Sequence, residues 1–127
     1  MNKKQIDAFE TLSARLKTLY DEMHILVKKS PNDSVNKFKL RLINEILKAA
    51  NDFLTKSHKP FADFSEFNED DLPSNSDVLI VLSQYLSCLE KIRADNIAKV
   101  GFAHNWCWVI NGKTSDIRTA PPRKLVS

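Results

Sequence analysis

Residues 9–26 read FETLSARLKTLYDEMHIL. Within this stretch Phe9, Leu12, Leu16, Leu19, Met23 and Leu26 recur at alternating steps of three and four. An α-helix turns once every 3.6 residues, so this spacing lines the six side chains up in one seam. Glu10, Arg15, Lys17, Asp21 and Glu22 fall between them and form a solvated face. The spacing predicts a helix over residues 4–29. Lys28 and Lys29 suit the negative end of its dipole, and Pro31 stops it. An apolar seam of this length needs cover, so the rest of the chain is read for what it can pack against it.

Asn32, Asp33 and Ser34 are candidate N-caps for a second helix over residues 35–56. Val35, Phe38, Leu42, Ile46, Ala49 and Phe53 form its expected main stripe, with Ile43, Leu47, Ala50 and Leu54 beside it. So broad a face implies more than one neighbour. The short joint at residues 30–34 makes the two helices an antiparallel hairpin. Ser74 and Asp77 have the spacing of a capping box, in which each side chain satisfies a backbone N–H of the other. A third helix is expected over residues 77–99, on Val78, Leu82, Tyr85, Leu89 and Ile92. Leu79, Ile80, Val81 and Leu86 make its first half apolar nearly all round, which suits a central position.

After residue 100 the character changes. Trp106, Cys107, Trp108, Val109 and Ile110 are strand formers. Asn111-Gly112 is a two-residue hairpin turn signal, because a type I′ turn needs positive φ at both positions. Residues 113–119 then return as a second strand, and Pro121-Pro122 ends regular structure. The expected architecture is mainly α: a three-helix bundle with a C-terminal β-hairpin packed on it. Residues 1–120 make one domain and residues 121–127 a tail.

Composition agrees with this. With only two glycines and five prolines in 127 residues, a turn-rich sandwich or barrel is disfavoured. Two cysteines, Cys88 and Cys107, are too few for a disulfide framework. The first thirty residues are charged throughout, and no apolar run is longer than that at residues 78–82. No membrane partner is therefore expected, and the cytoplasm is the default compartment. Net charge is +3 but uneven. Residues 1–60 carry 12 Lys/Arg against 7 Asp/Glu, while residues 61–100 carry 3 against 8. A basic half and an acidic middle either complement each other within the fold or present two separate binding surfaces.

Catalytic signatures are absent. There is no G-x-S-x-G, no H-E-x-x-H and no glycine-rich phosphate loop. His104 and Cys107 form an H-x₂-C pair with Cys88 as a third possible ligand, but a zinc site needs four ligands, or three and a water. No metal and no cofactor are expected, and the chain is not read as an enzyme.

Binding features carry more weight. In residues 57–73, SHKPFADFSEFNEDDLP, Phe61, Phe64 and Phe67 recur every third position after Pro60. Either these rings fold onto the helices, or they stand exposed beside Asp70 and Asp71 as apolar anchors rimmed by acid. Trp106 and Trp108 share one face of their strand, where they dock the hairpin or meet a partner. The expected function is a small non-enzymatic protein-interaction module (an adaptor, inhibitor or regulatory subunit) using Phe61, Phe64, Phe67, Asp70, Asp71, Trp106 and Trp108. Its partner is another protein, and the oligomeric state is left open. The alternative is a nucleic-acid-binding accessory protein. Lys37, Arg41 and Lys48 on helix two, with Arg118, Arg123 and Lys124, would release counterions from phosphates, and the tryptophans would stack on bases. A third reading is an enzyme with a site that no motif marks.

Overall fold

The computed structural model describes residues 1–55, 57–101 and 105–122. Three helices, α1 (Lys3–Lys29), α2 (Lys37–Phe53) and α3 (Asn75–Asp95), precede three strands, β1 (Ile97–Val100), β2 (Asn105–Ile110) and β3 (Lys113–Thr119). The strands form one antiparallel sheet in the order β1-β2-β3.

Helix α1 follows its seam. Ile6, Phe9, Leu12, Leu16 and Met23 are buried, and Leu19 and Leu26 pack against them half-buried. Its start is fixed by a capping box that the periodicity did not reveal. The Asn2 side chain accepts from the Gln5 N–H at 2.8 Å, and the Gln5 side chain accepts from the Asn2 N–H at 2.9 Å. The box at Ser74 and Asp77 forms as its spacing implies.

Helix α2 differs from expectation in both bounds and phase. It starts at Lys37 because Asn36, not residues 32–34, caps it, accepting from the Lys39 N–H at 2.8 Å. Its buried stripe is Leu40, Ile43, Leu47 and Ala50. Of the expected main stripe, Val35 is buried and Ile46, Ala49 and Phe53 pack half-buried against the core, but Phe38 and Leu42 are turned outward, 68% and 45% exposed. The two stripes are adjacent, and the core takes the first of them whole and the second only in part.

Helix α1 packs against both other helices. Residues 57–73 link α2 to α3. The Asn44 side chain bonds both the N–H and the carbonyl of Phe67, each at 2.9 Å. Asn51 donates to the Ser65 carbonyl at 2.7 Å and accepts from the Tyr85 hydroxyl at 2.7 Å. A long connection inside a small domain is thus pinned by side-chain bonds to its backbone. At the other end, the α1–α2 joint is stapled to the start of α3. The Val35 N–H donates to Pro73, the Asn75 N–H to Asp33 and the Ser76 N–H to Pro31, at 2.9, 2.9 and 3.1 Å. The Asn75 side chain adds a bond to the Ser30 carbonyl at 2.8 Å.

The C-terminal element is a three-stranded sheet and not the expected hairpin. Strand β1 occupies residues that the helical pattern assigned to the end of α3. The helix stops at Asp95, and Asn96 folds its side-chain amide back onto the Ile92 carbonyl at 2.8 Å. Ile97 to Val100 then pair with Trp108 to Asn105. A third strand relieves the marginal stability of a two-stranded ribbon. The β2–β3 turn has positive φ at Asn111 (51°) and Gly112 (76°), as the dipeptide implies. The register shifts between Cys107 and Val109, and there the Ser115 hydroxyl donates to the Trp108 carbonyl at 2.6 Å.

Candidate protein-contact face

The residues expected to bind a partner separate into packed and presented groups. Trp108 is fully buried, which corrects its assignment as a contact residue. Its ring meets Phe9 edge-on at 5.1 Å and its indole N–H donates to Glu10 Oε1 at 2.9 Å. Trp106 is half-buried on the central strand, paired with Lys99 and Thr119, with Lys99 Nζ 6.0 Å from its ring centre. Phe61, Phe64 and Phe67 are half-buried and packed against the core. They form a ladder of tilted rings, 5.8 and 5.0 Å apart, that continues onto Tyr85 at 6.4 Å. Much of their apolar surface is therefore used within the fold. Asp70 and Asp71 stay exposed in a short 3₁₀ turn.

That turn lies against the basic side of α2. Lys37 Nζ is 3.8 Å from Asp70, and Arg41 Nε is 3.3 Å from Glu69. A cleft of about 730 Å³ beside these pairs is lined by both signs of charge, including Arg41, Lys48, Glu66 and Glu69. The uneven charge of the sequence is thus partly matched inside the molecule. Two of the three helix cations proposed for phosphates already face carboxylates, which lowers the field available to a nucleic acid. Arg118 is exposed on β3, and Arg123 and Lys124 lie outside the described residues.

One cluster was not legible in the sequence. Arg93 is 2% exposed and is held from three elements. Its guanidinium donates to Ser13 Oγ at 3.1 Å and to Thr119 Oγ1 at 2.5 Å, and lies 3.4 Å from Glu10 Oε1. Glu90 Oε2 is 3.5 Å from its Nε, and the Phe9 ring lies 5.3 Å from its central carbon. Glu10 Oε1 also accepts from Thr119 at 2.7 Å. These bonds join α1 and α3 to β2 and β3. The cluster ties the sheet to the helices as a clasp.

The chemistry of the remaining polar groups is modest. A cleft of about 520 Å³ brings Asp52, His58 and Asp95 to one rim over Phe53 and Ile92. His58 Nδ1 bonds Thr55 Oγ1 at 2.5 Å and has no carboxylate partner among the described residues. Among those residues no three of His, Cys, Asp and Glu gather as metal ligands. Cys107 is buried and Cys88 half-buried, while His104 lies outside the described residues. Burial pushes the Cys88 thiol up, away from the reactive thiolate. No helix among the described residues is long and apolar enough to cross a membrane.

Burial also raises the Tyr85 hydroxyl above its ordinary value near 10; the Asn51 bond opposes the shift and Cys88 adds to it. In strong alkali the unfolded chain then releases this proton before the folded one does. The folded state binds more protons, so stability falls as pH rises past the unfolded value. Tyr85→Phe is expected to remove that part of the alkaline loss. Urea unfolding of both proteins at about pH 9 and about pH 11 reads it. Equal alkaline losses in the two would show that Tyr85 is not the group responsible.

One strip that α1 and α2 leave uncovered among their exposed charges is apolar. Leu42 and Ile46 from α2 and Leu19 from α1 line a cleft of about 440 Å³, with Arg15, Glu22 and Glu45 at its rim. Phe38 lies one turn before Leu42, and Ile25 (55% exposed) one turn after Glu22. Because the two helices run antiparallel, these residues extend the same face toward the α1–α2 joint. Sequence reasoning placed Phe38 and Leu42 in the core, and the phase of α2 puts them here instead.

No protein-family model matches the chain, and neither a curated protein nor a solved structure matches it.

Proposed function

We propose that this protein works without catalysis, by protein contact, through the apolar face that α1 and α2 leave uncovered. The observation that carries the reading is the outward stripe of α2. Turned about its axis by one residue, about 100°, α2 would have hidden Leu42 in place of Ile43, yet Phe38 and Leu42 stand exposed in a row with half-buried Ile46 and beside Leu19 and Ile25. Isolated exposed apolar side chains are ordinary on a soluble protein, but a contiguous row rimmed by charge is the composition of a binding surface. The adaptor, inhibitor and regulatory-subunit roles expected from the sequence all remain within this reading. The contact residues move from the phenylalanine strip to Phe38, Leu42, Ile46, Leu19 and Ile25.

A photo-activated cross-linking residue placed at position 42 in the native cell tests this. It is expected to give a discrete protein adduct, whereas the same group at exposed Gln84 on α3 gives none. No adduct from position 42, or the same adducts from both positions, would sink the reading.

A further inference from the structure

We infer that the occupant of the α1–α2 face is a second copy of this chain, packed antiparallel across a two-fold axis. The inference rests on the protein-contact reading above and adds the identity of the partner. Arg15 and Glu22 stand seven residues apart on α1, two turns, so they point the same way on either side of Thr18. Both are exposed, and neither joins an ion pair among the described residues. A two-fold axis across the helices at the level of Thr18 and Leu19 lays α1 antiparallel on its copy. Arg15 then faces Glu22 of the partner subunit, and by symmetry Glu22 faces Arg15 of the partner subunit. One opposite-charge contact is obtained twice, which is the signature of a self-complementary patch.

The same axis crosses α2 within the cleft that Leu42, Glu45 and Ile46 share with Thr18 and Leu19. Leu42 is thereby brought toward Ile46 of the partner subunit, apolar on apolar. Glu45 lies close to the axis, with Lys48 one turn away to offset the approach of the two carboxylates. An axis running along the helices sets Arg15 toward Lys48 of the partner subunit, cation toward cation, and Glu22 toward Arg41 of the partner subunit, which Glu69 already engages, so it is disfavoured. The size of the face sets the strength. Two helices side by side over the length of α2 present a projected face of roughly 500 Å² per copy, at the low end for specific interfaces. A dissociable dimer in the micromolar range is the result expected.

Sedimentation equilibrium of the full chain, from about 1 to about 300 μM, brackets that range. Wild type is expected to shift from one to two chain masses. Arg15→Glu and Glu22→Arg alone each set like charges together twice and weaken association at least about tenfold. The double variant R15E/E22R restores it. So does an equimolar mixture of the two single variants, in which each chain supplies what the other lacks. Both positions are exposed, so circular dichroism should show the fold unchanged in every variant. A wild type that stays at one chain mass, single variants that associate like wild type, or a double variant no better than the singles would each overturn the dimer. A monomer whose position 42 still cross-links to a different protein overturns the dimer alone. A monomer with no cross-link from position 42 removes the protein-contact reading as well.

Discussion

Replacing Arg93 by alanine is expected to destabilise the fold by about 3–5 kcal/mol, the range for a buried charge left without its partner. The guanidinium is 2% exposed, and the Glu90 carboxylate beside it is 8% exposed. Without Arg93, Glu90 faces an apolar interior with no compensating cation. Ser13 and Thr119 lose a donor in the same step. Domains of this size are stable by only about 5–15 kcal/mol, so the loss is a large part of the total. Lysine will not substitute, because a single ammonium cannot reach Ser13, Thr119 and Glu90 with one planar fork. Removing the charges together should be far milder. The double variant Arg93→Met/Glu90→Gln is expected to recover most of the loss, since no buried ion is then left unpaired and Glu10, 37% exposed, keeps its bonds from Trp108 and Thr119. Urea denaturation of the three variants measures this. An Arg93→Ala protein within about 1 kcal/mol of wild type would mean that water reaches the cluster and that the clasp is not a buried charge network.

Trp108→Ala is expected to have an effect of similar size, about 3–5 kcal/mol, but a different distribution. Trp108 is the largest fully buried side chain, and it lies on Phe9 with its N–H on Glu10. It is the main apolar tie between β2 and α1. Its loss should loosen the sheet before the helices, because α1 retains its own contacts with α2 and α3. Amide hydrogen exchange is the discriminating measurement. Strands β1, β2 and β3 are expected to exchange through local opening in Trp108→Ala, while α1 and α3 stay protected. Equal acceleration everywhere would show that sheet and helices form one cooperative unit. Trp108→Phe keeps most of the ring and loses the hydrogen bond, at about 1 kcal/mol. Because Trp108 and Arg93 both engage Glu10, their losses should not add, and a double-mutant cycle should return a coupling term well away from zero.

Several elements could be read without coordinates because their signals are local. The α1 seam, the Ser74–Asp77 box, the Asn111-Gly112 turn and strand β3 depend on neighbours within a few residues. The elements that were misread depend on partners far along the chain. Ile97–Val100 has no turn before it and follows an apolar helix, so nothing nearby marks it as strand; β2 makes it one. Helix α2 carries two adjacent apolar stripes, and periodicity alone cannot say which of them α1 covers. Arg93, between Lys91 and Asp95, and Glu10, between the seam residues Phe9 and Leu12, look like members of solvated faces. Only the meeting of four elements buries one and half-buries the other. The phenylalanine strip was legible as a special feature but not in its direction, because exposure is set by how residues 57–73 lie against Asn44, Asn51 and Tyr85. The proposed contact face was visible as residue types and hidden as a place, for the same reason that the phase of α2 was misassigned.

The staple between residues 30–35 and 73–76 bears on how quickly the molecule can assemble. The bond from Arg93 to Ser13 spans 80 residues of chain, a costly loop to close from the unfolded state. Once Asn75 is bonded to Ser30 and Asp33, the path between those two residues is shortened to roughly half, and each halving relieves about 0.6 kcal/mol of closure entropy. Helix α2 and its following segment become an excursion that leaves and re-enters through a single gate. The nucleus for folding is therefore best placed at that gate, with α1 and α3 zipping together from it and the sheet arriving last.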